Sequence, residues 1–111
     1  MLSKTELNEI TLSAARAARE VLGNKLTGVI LYGSYARGDA DSKSDVDIML
    51  LSSENVEKQK MLRKMHEILA DLEIDMGCVI SLHITESEKF NKMKRLPGFY
   101  GNFAAEGLEV A

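Results

Sequence analysis

The apolar positions of this chain change period several times, and each change marks an element. Behind Ser3 and Glu6, which have the Ser-x-x-Glu form of a capping box, Leu7, Ile10, Ala14, Ala17 and Val21 recur at helical spacing. Gly23 is a natural helix stop. Residues 28–32, Gly-Val-Ile-Leu-Tyr, form a short apolar run of strand-favouring residues. A polar segment, 33–44, follows and reads as a loop with room for one helical turn over 34–38. Residues 45–51 predict a second strand, which has no polar side after Asp47 and so reads as buried on both faces.

Residues 54–73 predict a second long helix, with Met61, Leu62, Met65, Ile68, Leu69 and Leu72 as its apolar stripe and Gly77 in the turn after it. A third strand spans 78–84, with Ile80, Leu82 and Ile84 on one face and Val79, Ser81 and His83 on the other. Thr85 and Glu88 form a second capping box that opens a short helix to about Leu96, which Pro97-Gly98 breaks. A last helical turn or two over 99–106 ends at Gly107, and Leu108-Glu-Val110 is a candidate edge strand. The order α-β-β-α-β-α predicts an α+β domain: a small mixed sheet flanked by helices, backed on one side. No repeat, low-complexity tract or linker divides it, so residues 1–111 read as a single domain.

The chemistry concentrates between the first two strands, in Gly33-Ser-Tyr-Ala-Arg-Gly-Asp-Ala-Asp-Ser-Lys-Ser-Asp-Val-Asp47. Strand residues two apart point to one face, so Asp45 and Asp47 project together while Val46 turns to the core. Two carboxylates on a rigid element suit a hard divalent cation, Mg²⁺ or Mn²⁺, through oxygen ligands. Gly33 lets an anion approach the backbone, and Ser34 adds a hydroxyl and an N–H. Arg37 offers a bidentate partner for phosphate, Gly38 permits a tight reversal, Lys43 adds charge from the loop, and Ser44 precedes the acidic pair. The stretch is not a calcium loop of the EF-hand type, because Ser44 stands where glycine is needed and Leu50 where the bidentate glutamate belongs. It is not a Walker loop either, since Gly-x-x-x-x-Gly-Lys is absent.

Gly33-Ser34, Arg37-Gly38 and Ser44-Asp45-Val46-Asp47-Ile48 together resemble the minimal nucleotidyltransferases, a branch of the DNA polymerase β-like superfamily. The tail around Leu96-Pro97, Phe99-Tyr100, Asn102 and Glu106-Gly107 is similar to a subgroup of small bacterial and archaeal stand-alone domains. The resemblance implies Mg²⁺ on the Asp45–Asp47 pair, a nucleoside triphosphate such as ATP at Gly33-Ser34, and transfer of a nucleoside monophosphate to a hydroxyl acceptor. It also implies a helical HEPN-type partner protein, as in toxin–antitoxin pairs. Active members carry a third carboxylate on the third strand, and by pattern that position here is Ser81. Asp75, before Gly77, is the nearest substitute, and Glu73 is a weaker one. His83, on the same strand face as Ser81, is a candidate for the edge of the site. The alternative function is a binding module of antitoxin type that keeps the fold and loses turnover with the third acid.

Composition narrows the partners. Net charge is -3, so the chain has no basic field to hold a nucleic-acid backbone, and an anionic ligand must be captured locally. The single cysteine, Cys78, fits a reducing cytoplasm and reads as a small buried hydrophobe. No apolar run reaches membrane-spanning length. His66 reads as solvated, and Lys92, Lys94 and Arg95 form a small basic patch. A homodimer would add burial to so small a domain.

Overall fold

The computed structural model describes residues 1–93 and 108–109. The first helix, α1 (Lys4–Leu22), starts on the expected capping box: Glu6 N–H donates to Ser3 Oγ at 3.1 Å, and Ser3 N–H donates to Glu6 Oε1 at 2.9 Å. Those bonds favour the ionised Glu6 carboxylate and lower its pKa. Gly23, at φ 56, ends the helix, and a single 3₁₀ turn (Gly23–Lys25) leads into β1 (Leu26–Tyr32). A short helix, α2 (Gly33–Arg37), follows β1 directly, and the chain returns as β2 (Val46–Ser52).

The second long helix, α3, spans Lys58–Met76, later at both ends than its apolar stripe suggested. Residues after β2 are held in a turn instead, where Ser52 Oγ donates to the Glu54 carbonyl at 2.7 Å. At the other end Gly77 closes the helix in the left-handed region, and Glu73 finishes it twice over. Its carbonyl accepts from Cys78 N–H at 3.1 Å, and its carboxylate accepts from Ile80 N–H at 3.0 Å. The third strand, β3, is therefore Ile80–Glu86, two residues later than expected. Thr85 and Glu88 do not form a helix cap: Thr85 still pairs with Leu51 in the sheet, and α4 (Ser87–Met93) begins only after Glu86. The ladder with β2 outcompetes the local capping signal. The expected end of this helix near Leu96, the Pro97-Gly98 break and the turns over 99–106 lie outside the described residues. The edge strand was expected over 108–110; β4 (Leu108–Glu109) covers its first two residues.

The sheet has the order β3-β2-β1-β4. It is mixed: β1 runs antiparallel to β2 and β4, while β2 and β3 are parallel. Alternation along the strands gives the sheet two different faces. Val29 and Leu31 of β1, Val46, Ile48 and Leu50 of β2, and Ile80, Leu82 and Ile84 of β3 are buried in one cluster. They pack with Ile10, Ala14 and Ala18 of α1 and Met65 and Leu69 of α3. The helices are not confined to that side. On the other face Phe90 of α4 packs on Met49, with Ile30, Tyr32 and Leu51 around them. Ser87 anchors α4 there: its hydroxyl donates to the Ser52 carbonyl at 3.0 Å and also meets the hydroxyl of Thr27. No described helix is long and apolar enough to cross a membrane.

Candidate functional site

The site lies on the second face, where β1 hands over to α2. Tyr32, the last residue of β1, is the cross-strand partner of Asp47, and Asp47 is the partner of Ser81 on β3. Three adjacent strands thus present Tyr32, Asp47 and Ser81 in one row, with His83 one step along β3 on the same face. The rings of Tyr32 and His83 lie 6.3 Å apart at 55°.

Gly33 follows Tyr32 with φ +74, a backbone conformation that L side chains rarely adopt. A Cβ there would run into the Asp47 carboxylate, Oδ2 first. The glycine thus serves a local purpose: it lets the α2 turn begin against the carboxylate with nothing between them. Ser34, half-buried, is the next residue; its carbonyl accepts from the N–H groups of Gly38 and Asp39, each at 3.0 Å, and so closes α2. Gly38 caps that turn in the left-handed region at φ 85. Arg37 is exposed and its Nε donates to Asp39 Oδ2 at 3.3 Å, a solvent-facing pair of small energetic weight.

The return loop is organised by Asp41. Its carboxylate accepts from Lys43 N–H at 2.9 Å and from Ser44 Oγ at 3.2 Å, while its own N–H donates to Ser44 Oγ at 2.9 Å. This side-chain-to-backbone turn sets the chain just before Asp45. The Ser44 hydroxyl is therefore engaged within the loop. The Lys43 side chain is exposed. Asp45 precedes β2 and is exposed, whereas Asp47 is half-buried within the strand.

Electrostatics tie these residues together. The Asp47 pKa is raised, first by burial and then by the like charge of Asp45; His83 and Arg37 act in the opposite sense. The Tyr32 hydroxyl is pushed up to about 12, by burial and by Asp47. Two carboxylates that repel one another beside an open glycine backbone present a place for a cation. Both are hard oxygen donors, and the Asp47 carboxylate reaches the Gly33 backbone because no Cβ stands there, so the residues fit one Mg²⁺ or Mn²⁺ held by Asp45 and Asp47. Among the described residues, no three of His, Cys, Asp or Glu are grouped to hold a metal.

The other sequence candidates are placed elsewhere. Asp75 is on the last turn of α3, exposed, on a helix that packs against the core face; it is not one of the charges that shift Asp47. It was expected in the turn, but α3 continues past it to Met76. Glu73 is occupied in closing α3. Cys78 is half-buried, and its thiol pKa is raised by burial and by the nearby Glu73 and Glu6, which opposes thiolate reactivity. His66 is exposed. Lys92 pairs with Glu88 at 3.1 Å, while Lys94 and Arg95 lie outside the described residues. Sequence reading missed Tyr32. Its position before Gly33 was plain, but its alignment with Asp47 depends on the β1–β2 register, which the intervening segment sets.

A short helix at the end of one strand, beside a carboxylate pair on the next, on a small mixed sheet, is the architecture of a nucleotidyltransferase-type domain. The profile of the family described as "Nucleotidyltransferase domain" matches residues 15–102, and the chain belongs to that family. Three relatives from Methanocaldococcus jannaschii, provisionally named protein adenylyltransferases, agree with this. MJ0141 is 44% identical over 61 residues, covering 52% of this chain and 62% of that protein. MJ1305 is 35% identical, covering 62% and 45%, and MJ0604 is 32% identical over 83 residues, covering 75% and 76%. The chain thus spans between 45% and 62% of the length of the first two. Among solved structures, a chain of a toxin–antitoxin complex with AMP-PNP superposes with TM-score 0.55 at 16% identity, over 89% of this chain and 70% of that one. A chain of the complex of AMPylated Shewanella oneidensis HEPN toxin with MNT antitoxin gives 0.50 at 13% identity, over 93% and 70%. At such identities these neighbours share the fold.

Proposed function

We propose that this chain transfers AMP from ATP to a hydroxyl group on a helical partner protein of HEPN type. The observation that carries the reading is the approach of Asp47 to Gly33, a contact that only a residue without Cβ allows. Asp45 and Asp47 hold Mg²⁺ (or Mn²⁺), which, when bound, neutralises phosphate charge during transfer. Gly33 and Ser34 receive the β- and γ-phosphates on the backbone. Arg37 turns from Asp39 to the phosphates, a small cost for so exposed an ion pair. Gly38 lets the chain reverse after α2, Lys43 adds positive charge from the loop, and Ser44 holds the loop so that Asp45 meets Asp47. The acceptor oxygen bonds to the α-phosphorus, the bond from that phosphorus to the bridging oxygen breaks, pyrophosphate leaves, and the hydroxyl proton passes to solvent. The names of the archaeal relatives and the toxin–antitoxin context of the structural neighbours support the reaction class and the partner class. The free thiol of Cys78 supports a reducing, cytoplasmic setting.

A second reading is favoured by Ser81, the neutral residue in register with Asp47: a module that binds nucleotide and partner without turnover. One experiment separates the two. The chain, a candidate HEPN-type protein and Mg²⁺ are incubated with ATP labelled at the α-phosphate, with Asp47→Asn as control. Label on the partner, lost in the variant, is the result expected. Binding of nucleotide and partner with no label establishes the second reading instead.

A further inference from the structure

The Gly33–Arg37 turn has little of its own to hold it in place. α2 is five residues long, has no side-chain cap at its start, and is bounded by two glycines in the left-handed region, Gly33 and Gly38. A helix of that length does not persist on its own backbone bonds. The bonds that Ser34 and Arg37 make to Gly38 and Asp39 stay within the segment. Tyr35 reaches out of it. Its half-buried ring packs against the core cluster, and its Oη accepts from the Leu2 N–H at 3.2 Å, across 33 positions of sequence. Leu2 is itself buried in that cluster, just before α1, so the far end of the bond is anchored.

Tyr35 also borders the acidic side. With Leu2, Ser42 and Ser44 it lines a cavity of about 100 Å³, and Ser44 is the residue before Asp45. One phenol thus stands between the turn that begins at Gly33 and the loop that ends at Asp45. We propose that Tyr35 is a positioning residue: its ring and its bond to Leu2 fix α2 on the core, so that Gly33 and Ser34 keep their place beside Asp47 when the triphosphate arrives. The ring lies on the core cluster, so it acts through Gly33 and Ser34 and not on the reacting atoms. This assignment rests on the nucleotide reading above and adds what holds the phosphate-receiving turn.

The test combines amide hydrogen exchange of the nucleotide-free chain with calorimetric titration of AMP-PNP in Mg²⁺. Wild type, Tyr35→Ala, Tyr35→Phe and Leu69→Ala are compared at a temperature where each is fully folded. Leu69 is on α3 in the core, so Leu69→Ala lowers stability away from α2. The N–H groups of Gly38 and Asp39, which donate to the Ser34 carbonyl, report whether α2 stays closed. Tyr35→Ala is expected to speed their exchange and to weaken AMP-PNP binding, each at least about tenfold. Tyr35→Phe keeps the ring and gives up the bond. The cavity admits water to the Leu2 N–H, so this variant is expected to fold and to lose only about threefold in each. Leu69→Ala is expected to keep wild-type affinity. Wild-type affinity in a folded Tyr35→Ala would overturn the proposal, whatever its exchange rates. So would an equal loss in Leu69→Ala, which would trace the effect to stability alone. Should Tyr35→Ala not fold, Tyr35→Phe decides, and wild-type exchange and affinity in it would overturn the proposal. Failure of the wild type itself to bind AMP-PNP would instead remove the nucleotide reading, and the proposal with it.

Discussion

The two faces of β2 differ by one residue step and do opposite work. Val46, Ile48 and Leu50 point into the cluster under α1 and α3 and are fully buried. Asp47 and Met49 point the other way, where α4 covers part of the sheet and the carboxylate stays half-exposed. The first face is a packing problem solved with aliphatic side chains. The second carries a charge that burial and a neighbouring acid both disfavour. The difference teaches that the stable face can support strain on the other, because the central strand is held in place without any help from Asp47.

That contrast breaks most sharply under Asp47→Asn. Transfer of AMP is expected to fall by about three orders of magnitude, roughly 4 kcal/mol of transition-state stabilisation, while the melting temperature holds or rises, because a disfavoured charge is gone. Activity measured with α-labelled ATP and a thermal melt check the two halves together; a variant that both loses activity and melts well below wild type contradicts the separation. Ile48→Ala is the mirror experiment. It is expected to cost about 2–5 kcal/mol in denaturant unfolding, and to leave the nucleotide affinity of the remaining folded fraction unchanged.

Gly33→Ala sits on the seam between the faces. The left-handed backbone and the collision with Asp47 together predict a loss of about 1–3 kcal/mol in stability and a larger loss in nucleotide affinity, read by urea unfolding and calorimetry. Ser3→Ala, remote from the site, is expected to lower stability by about 1 kcal/mol through the lost cap and to leave nucleotide binding unaltered.

The smallest effect is one of pH. The folded-state pKa of Asp47 is raised, so protonation favours the folded chain: its stabilising contribution is full below the ordinary carboxylate pKa and is lost as pH rises through the raised folded value. Melting temperatures of wild type and Asp47→Asn should therefore converge as the pH falls from neutrality towards about 4. A gap that widens on acidification would show that the carboxylate is stabilised by the fold.

Much of this arrangement was legible in the chain because it is local. The period of Leu7 to Val21, the strand runs on either side of Gly33 and the alternation of Ile80, Leu82 and Ile84 each fix an element and the side it buries. Asp47 was placed on a polar exception to an apolar strand by the same logic. What the pattern could not supply was register. Tyr32 meets Asp47, and Ser81 meets Asp47 from the other side, only because of how the 33–45 segment and α3 return the chain. Competing local signals misled in the same way: Thr85 and Glu88 look like a helix start, yet pairing of β3 with β2 through Glu86 holds Thr85 in the sheet. Phe90 on the second face was invisible too, since a short amphipathic helix does not declare which side of a sheet it will cover.

The central claim is that a cation–nucleotide complex binds where the Gly33–Ser34 turn meets the Asp45–Asp47 pair. Titration of the isotope-labelled chain with AMP-PNP, with and without Mg²⁺, followed by backbone amide NMR, tests it most directly. The account predicts Mg²⁺-dependent shifts centred on Gly33, Ser34, Asp45 and Asp47, absent in Asp47→Asn. Shifts confined to the outer surface of α1 and α3, or unchanged by loss of the Asp47 charge, would contradict it.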